Sequence, residues 1–393
     1  MVDVVTVGLF VSAVGASMFM AWTIGAGSAG STPFAPAVGA NAISVMRAGL
    51  LVGVLIFFGA LLQGANVSEA VGRELIDGLT LSTSAAALAL VIAASLVTVG
   101  IFTGYPIATA FTVTGAVIGV GLAMGGEPNW PKYTEIAAMW TLTPVVGGTL
   151  AYVIARQLQS DSYREDVLIA LLGGAVGLLL ANIEFALLGP DDEAATIAQS
   201  VASITPGFAL GAWLLTSAVF ALAGGTIVFG RMQTNPVRTE QQFALVMGAI
   251  VAFSAGGSQV GLAVGPLLPL LEDIVPLLVI LFGGGIGLLI GAWTGAPRMI
   301  KAVSQDYASL GPRRALAALI PSFAIAQVAI LFGVPVSFNQ IIVSAVTGSG
   351  AAAQVGEGVS TKKVGYTFLA WGASFVGALA IGYGAYLAVL TLV

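Results

Sequence analysis

Gly25-Ala26-Gly27-Ser28 and Gly256-Gly257-Ser258 are two short stretches of small residues, and a Gly-x-Pro corner follows each at nearly the same distance. The corners are Gly104-Tyr105-Pro106 and Gly333-Val334-Pro335, so each serine precedes its proline by 78 or 77 positions. Both stretches interrupt apolar segments long enough to cross a bilayer. Paired interruptions at corresponding places in two halves are the best sequence indication of a transporter binding site. The repeat therefore predicts two related halves, each with a broken helix.

The composition predicts an all-α polytopic membrane protein. Of the 393 residues 58% are apolar and only 8% are charged, whereas a soluble domain has about 25% charged residues. Apolar runs long enough to span about 30 Å follow one another along the chain, and the alternating segments of a transmembrane β-barrel are absent. We count about twelve segments, at 3–24, 44–64, 82–99, 105–125, 136–156, 167–189, 207–229, 241–264, 275–295, 315–332, 335–352 and 365–391.

The basic residues indicate the orientation, because they accumulate in cytoplasmic connections. Eleven lie in connections after odd-numbered segments, and only Arg73 and Lys132 lie after even-numbered ones. This split predicts a multi-pass plasma-membrane protein with both termini outside. Ser28 then closes an inward-running segment and Ser258 lies in an outward-running one, which predicts inverted repeats. The predicted division is 1–190 for the first repeat, 191–240 for a connecting region with one crossing, and 241–393 for the second repeat.

The polar residues near these features are neutral. Hydroxyls, amides and helix N-termini with their free N–H groups suit an oxyanion. The corner at 100–104 carries no charge, so we expect 82–99 and 105–125 to form a re-entrant hairpin and 315–332 and 335–352 to form its mate. The predicted substrate-binding residues are Ser28, Thr32, Thr109, Ser258, Gln259, Ser337 and Asn339.

Plainer interpretations exist for both features. Glycines in membrane helices serve close packing, and hydroxyls bond to carbonyls of their own helix. The matched spacing and the inverted orientation favour a binding site over packing alone.

These stretches resemble the PiT-type inorganic phosphate transporter family, which carries Gly-Ala-Asn-Asp-x-Ala-Asn once per half and Pro-Val-Ser-Thr-Thr-His in each re-entrant hairpin. The similar segments are 252–259, 264–267 and 333–337, with others spread over most of the chain. The resemblance implies secondary transport of inorganic phosphate by alternating access, with sulfate transport in the same superfamily as the alternative. The family's Asn-Asp falls on Ser28-Ala29 and Ser258-Gln259, so both aspartates are lost.

This loss sets the expectation for the coupling ion. Without a carboxylate to offset its desolvation, sodium is disfavoured and a proton is favoured. Two acids lie at membrane depth or at its edge, Glu69 and Glu184, and such acids indicate function. Glu69 matches a family acid and is the first coupling candidate, with an i,i+4 pair to Arg73 as the alternative. Glu184 has no family counterpart, and a position at the outer interface is its alternative.

Other classes of function fit less well. The chain has no Cys and no His, which removes thiol and imidazole chemistry and most transition-metal sites. It has no nucleophile–base pair for an enzyme and no P-loop for an ATP-driven pump. We therefore expect no cofactor, no metal and no nucleic-acid partner, while an anion channel and a homodimer stay open.

Overall fold

The protein consists mainly of long apolar helices. The computed structural model describes residues 4–160, 164–189, 194–352 and 359–392. The helices are α1 (Val4–Gly27), α2 (Ala35–Gly39), α3 (Val45–Gln63), α4 (Ala65–Arg73), α5 (Thr83–Thr103), α6 (Thr109–Ala123), α7 (Trp130–Leu158), α8 (Glu165–Ala181), α9 (Ile197–Ser203), α10 (Ala209–Thr234), α11 (Pro236–Val264), α12 (Leu268–Leu271), α13 (Leu277–Asp306), α14 (Pro312–Leu331), α15 (Phe338–Ala351) and α16 (Thr361–Leu392).

The described helices agree with the predicted count of about twelve apolar segments. Within these residues, nine helical spans are long and apolar enough to cross a membrane, and α6, α8 and α15 add three shorter segments of 15, 17 and 14 residues. Strands are limited to two antiparallel pairs of two residues each in the part of the chain described. They are β1 (Ile76–Asp77) with β2 (Glu127–Pro128), and β3 (Glu184–Phe185) with β4 (Ala195–Thr196). The all-α polytopic fold is confirmed.

The helices of the two predicted halves pack in reciprocal pairs. Helix α1 packs on α13, and its counterpart α11 packs on α3. Small residues make both contacts close: a Cβ atom at Gly25 would lie 2.0 Å from the Leu288 carbonyl oxygen, and one at Gly256 would lie 2.0 Å from the Ile56 carbonyl oxygen. The two matched glycine stretches thus bring one helix of each half against the backbone of the other half.

Two hairpins carry the Gly-x-Pro corners. Each corner glycine has a positive φ, 75° at Gly104 and 59° at Gly333, a conformation that glycine adopts without strain. Helices α6 and α15 begin a few residues after the corners. At 1.5 Å per residue they are only about 21–22 Å long, short of the roughly 30 Å of a bilayer core. The short second arms fit the predicted re-entrant arrangement, which stays a prediction because the first arms, α5 and α14, are long enough to cross.

A tryptophan from the opposite half holds each corner. The Trp371 indole N–H on α16 donates to the Pro106 carbonyl oxygen at 2.8 Å. The Trp140 indole N–H on α7 donates to the Pro335 carbonyl oxygen, also at 2.8 Å. Helix α16 packs along α6, and α7 packs along α15. Each hairpin therefore contacts a helix from the other predicted half.

The first predicted helix break is confirmed, and the second is displaced. Helix α1 ends at Gly27, and turns carry the chain to α2. Helix α11, in contrast, continues through Gly256-Gly257-Ser258 and ends only at Val264, before Gly265-Pro266. The prediction of a break at Ser258 was wrong, because these small residues serve close packing against α3. A Cβ atom at Gly257 would lie 2.5 Å from the Gln63 Cβ atom.

Helix α13 also extends beyond its predicted end at residue 295. It continues to Asp306, so Arg298 and Lys301 lie in its last turns and not in a loop. Helix α8 packs mainly on α10, apart from the reciprocal pairs. The division into 1–190, 191–240 and 241–393 stays a prediction.

Candidate functional site

Three predicted site residues from distant parts of the chain meet in one buried cluster. The Thr109 hydroxyl donates to the Gln259 side-chain oxygen at 2.9 Å, and the Ser28 hydroxyl lies 3.3 Å from the same oxygen. The two hydroxyl oxygens are 3.4 Å apart. All three residues are fully buried. The end of α1, the start of α6 and the middle of α11 therefore converge on one polar centre.

Asn339 joins this centre from α15. Its side-chain NH2 group donates to the Gly27 carbonyl oxygen at 2.9 Å and to the Ile107 carbonyl oxygen at 2.6 Å. Because both donors are used on main-chain carbonyls, the orientation of the amide is fixed, and its Oδ1 atom has no hydrogen-bond partner within the described part of the chain. Asn339 thus ties the break after α1 to both hairpins and leaves a buried acceptor.

The neighbouring amides follow the same rule. The Gln259 NH2 group donates to the Val336 carbonyl oxygen at 2.6 Å, and the Gln340 NH2 group donates to the Trp140 carbonyl oxygen at 2.6 Å. The Gln340 side-chain oxygen, like that of Asn339, is buried and has no partner among the residues that the structure describes. The side-chain NH2 groups of these amides therefore donate to main-chain carbonyl oxygens, and their side-chain oxygens remain available for other contacts.

Two serine hydroxyls are also buried and unpartnered. Ser258 and Ser337 are both 0% exposed, and neither Oγ atom has a hydrogen-bond partner among the described residues. Most buried polar side-chain atoms are hydrogen-bonded. Ser258 directly precedes Gln259 on α11, and Ser337 is the residue before α15, so both serines lie in segments that carry members of the cluster.

Both re-entrant helices begin at this cluster without a side-chain cap. Helix α6 follows Ala108 and α15 follows Ser337, and neither flanking residue accepts a bond from the helix N-terminus. The first N–H groups of a helix have no partner within the helix, and they carry partial positive charge. Two uncapped and buried helix N-termini therefore face a centre that contains Thr109 and Asn339, which suits an anion.

Two predicted residues lie elsewhere or have other partners. The Thr32 hydroxyl donates to the Ser28 carbonyl oxygen at 3.2 Å, which is the local bond that the alternative interpretation describes. Glu69 is exposed on α4, and Arg73 forms its ion pair with Glu272. Gln340 stands out in the sequence beside the second Gly-x-Pro corner, but it is not among the predicted substrate-binding residues. An amide inside an apolar segment was the available indication.

The sequence profile of the phosphate transporter family matches residues 24–382. The chain belongs to this family. A predicted phosphate permease of Pyrococcus furiosus is 28% identical, over 85% of this chain and 85% of that protein. The chloroplastic inorganic phosphate transporter 2-1 of Arabidopsis thaliana is 25% identical, over 85% of this chain and 64% of that protein. A solved structure described as the sodium-dependent phosphate transporter covers 98% of this chain and 100% of its own, with a TM-score of 0.80 at 22% identity.

These matches confirm the resemblance seen in the sequence. They make the protein a multi-pass membrane protein of a phosphate transporter family and not an enzyme. The similarity to the solved structure concerns the fold, which it confirms over nearly the whole chain.

The tryptophan anchors give a first prediction. In Trp371→Phe the buried Pro106 carbonyl oxygen loses its donor, at a cost of about 1–3 kcal/mol. We expect phosphate uptake into proteoliposomes to fall about tenfold while the protein still inserts and folds. Trp293→Phe is the matched control, because the Trp293 indole N–H donates to the Leu50 carbonyl oxygen at the exposed face of α13. Equal uptake in the two variants would contradict an anchoring role for Trp371.

Proposed function

We propose that the protein is a secondary transporter that carries inorganic phosphate by alternating access. The supporting observation is the convergence of two uncapped re-entrant helices on the buried cluster of Ser28, Thr109 and Gln259. Ser258 and Ser337 add hydroxyl donors that no described residue uses. Such a site binds an anion through dipoles and neutral donors. A carrier needs this kind of site, because it must also release its substrate.

The orphaned acceptor of Asn339 favours phosphate over sulfate. Phosphate near neutral pH keeps at least one P–OH group, which donates a hydrogen bond, whereas sulfate has only acceptor oxygens. A site with a buried acceptor rejects a ligand that leaves this acceptor unpaired. The Asn339 Oδ1 atom has no donor within the described protein, so a protonated oxygen of phosphate would satisfy it and sulfate would not.

Counterflow in proteoliposomes tests the proposal. Vesicles preloaded with unlabelled phosphate should accelerate the entry of radiolabelled phosphate, because a carrier exchanges its substrate across the membrane. Arsenate, which also carries a protonated oxygen, should compete, and sulfate should compete at least tenfold less well. An absence of acceleration by preloading would favour an anion channel, and equal competition by sulfate would support the sulfate alternative.

We further propose that transport depends weakly or not at all on sodium. Among the residues that form the described site, the oxygens come from neutral hydroxyls and amides, and the part of the chain that is described has no group of three or more acidic side chains suited to a metal ion. A buried cation without a carboxylate is costly. We expect a sodium gradient at constant pH to change phosphate uptake less than twofold, and an inward proton gradient to stimulate it. Strong stimulation by sodium would contradict this expectation.

Glu69 stays the candidate from sequence for proton coupling. Its exposed position on α4 gives it access to solvent. In the Glu69→Gln variant the response of phosphate uptake to a proton gradient should flatten if this residue carries the coupling proton.

The orientation is also a proposal. Both termini outside would place Asp192, which lies outside the described residues, on the outer face and Lys301 on the inner face. The chain has no native Cys, so single-cysteine variants give clean labelling. A cysteine at position 192 should react with a membrane-impermeant maleimide on intact cells, and one at position 301 should react only after permeabilisation. The reverse pattern would overturn the predicted topology and the inverted repeat together.

A further inference from the structure

A second polar cluster lies apart from the anion site, beside the tip of the hairpin α14–α15. Its centre is Glu184 on β3, a half-buried acid. The Asn66 NH2 group on α4 lies 3.4 Å from the Glu184 carboxylate oxygen Oε2 and 3.3 Å from the Ile330 carbonyl oxygen near the end of α14. One amide group therefore bridges the acid and the backbone of the hairpin.

A chain of amides leads from Glu184 towards the anion site. The Gln63 NH2 group donates to the Glu184 main-chain oxygen at 2.7 Å and lies 3.4 Å from the Gln327 side-chain oxygen. The Gln327 NH2 group donates to the Ser254 hydroxyl at 2.7 Å. Ser254 lies four residues before Ser258 on α11, so it is on the same face of the helix. The cluster thus connects β3 with the helix that carries the site.

The fold does not require this polar cluster. The residue four positions before Ser28 in the first half is Ile24, where the second half has Ser254. The residue eight positions before Pro106 is Thr98, where the second half has Gln327, and the Thr98 hydroxyl donates to the Ala94 carbonyl oxygen of its own helix. Since the inverted counterpart works with an apolar and a locally bonded residue, helix packing alone does not explain the amides around Glu184.

Glu184 lacks a basic partner but adjoins open space. None of the described ion pairs includes it, and among the described residues its carboxylate contacts only Asn66. A cavity of about 190 Å³ lies beside it, lined by residues that include Asn182, Gln327 and Leu331. An intramembrane acid without a basic partner indicates a functional site. The amides are already paired with each other and with backbone, so the second carboxylate oxygen is the free group, which suits a proton better than a cation that needs several oxygens.

The charged groups on neighbouring elements are few. Helix α4 carries Glu69 and Arg73, and Arg73 is paired with Glu272. The contacts from α3 and α14 come from Gln63 and Gln327, and Asn182 after α8 lines the cavity; none of these three titrates. Within the described residues, Glu184 is therefore the titratable group in direct contact with this bridge.

We propose that Glu184 binds a proton from the outer side and that this proton releases the tip of the hairpin α14–α15. A carboxylate accepts a stronger hydrogen bond than a neutral carboxyl group. Protonation of Glu184 therefore weakens its hold on Asn66, whose amide also holds the Ile330 backbone. The corner at Gly333, where a Cβ atom would lie 3.0 Å from the Asn66 carbonyl oxygen, then moves away from α4 and opens the path to the anion site. Two parts of this proposal rest on the proposed function: that Glu184 faces the outer side, and that the hairpin α14–α15 acts as a gate.

Cysteine accessibility at the hairpin tip tests the proposal without relying on transport. Val334 is fully buried and Phe332 is 59% exposed, and the chain has no native Cys. The ratio of the labelling rates of Val334→Cys and Phe332→Cys by an external pyridyl disulfide, which reacts with thiols in acid, reports hairpin opening, and it cancels the pH dependence of the thiol itself. On lowering the external pH from about 6 to about 4, the range in which carboxyl groups take up protons, this ratio should rise at least threefold. In the Glu184→Gln background it should be high at both pH values.

Two matched variants decide between the acids. In the Glu69→Gln background the ratio should keep the parental pH response, whereas Asn66→Ala, which removes the bridge from its other side, should abolish this response. A parental response in Glu184→Gln, or a flattened response in Glu69→Gln alone, would overturn the assignment to Glu184. The midpoint of thermal unfolding of Glu184→Gln, followed by tryptophan fluorescence, should stay at the parental value and shows that the variant folds. If the parent itself shows no counterflow, the proposed function fails while the labelling still decides the role of Glu184.

Discussion

Replacing Ser258 with leucine is expected to abolish phosphate transport. The Ser258 hydroxyl is fully buried, has no partner among the described residues, and directly precedes Gln259 of the proposed anion site. A leucine side chain would occupy the space where the substrate binds, and overpacking costs about 1–3 kcal/mol in addition. Counterflow of radiolabelled phosphate should fall at least about 100-fold, to the level of protein-free vesicles.

Smaller changes separate blocking of the site from loss of a donor. Ser258→Ala keeps the space and removes one hydrogen bond to a charged ligand, which is worth about 1.5–3 kcal/mol, so we expect a rise of about 10–100-fold in KM. Ser344→Ala is the control, because the Ser344 hydroxyl on α15 is buried and unpartnered as well, and it should transport normally. Transport at the parental rate by Ser258→Leu would remove Ser258 from the site.

Replacing Asn339 with alanine should be nearly as severe. The change leaves the Gly27 and Ile107 carbonyl oxygens without a donor, and each orphaned buried acceptor costs about 1–3 kcal/mol. It also loosens the contact that joins the break after α1 to both hairpins. We expect at least a 50-fold fall in counterflow and a lower midpoint of thermal unfolding, followed by intrinsic tryptophan fluorescence.

The same variant tests substrate choice. Without the Asn339 Oδ1 acceptor, the remaining exchange should lose its preference for phosphate, and sulfate should compete almost as well as phosphate. Ser344→Ala, on the same helix, should leave both the unfolding midpoint and the preference unchanged. A variant that keeps full discrimination against sulfate would show that the preference arises from another group.

The sequence predicted the all-α polytopic fold well because membrane helices are long and apolar. The Gly-x-Pro corners located both hairpin turns. The same kind of sequence signal misplaced the second helix break. Gly256 and Gly257 resemble Gly25 and Gly27 in sequence. Only the three-dimensional structure shows that Gly256 and Gly257 lie inside a continuous helix, where they pack against the Ile56 backbone and Gln63.

The sequence predicted which residues form the candidate site better than it predicted which of their atoms are free to bind a ligand. Ser28, Thr109, Gln259 and Asn339 stood out as polar residues in apolar segments, and they meet. The sequence does not show which way an amide points. The NH2 groups of Gln259 and Asn339 hold main-chain carbonyls, so these residues contribute oxygens where the chemistry of an anion suggested donors. The contacts of Glu184 were equally hidden, because Asn66, Gln63 and Gln327 come from three separate helices.

The tryptophan anchors also constrain the order in which the protein is built. The donor for the Pro106 carbonyl oxygen is Trp371, which lies 265 positions further along the chain, whereas the donor for Pro335 is already present in α7. During synthesis the corner of the α5–α6 hairpin therefore stays without its Trp371 donor until α16 has been made. The corner of the α14–α15 hairpin can bond to Trp140 as soon as it is synthesised. Biogenesis is asymmetric although the finished architecture is reciprocal, and a fragment that lacks α16 would expose an unanchored re-entrant loop to the membrane's quality-control proteases.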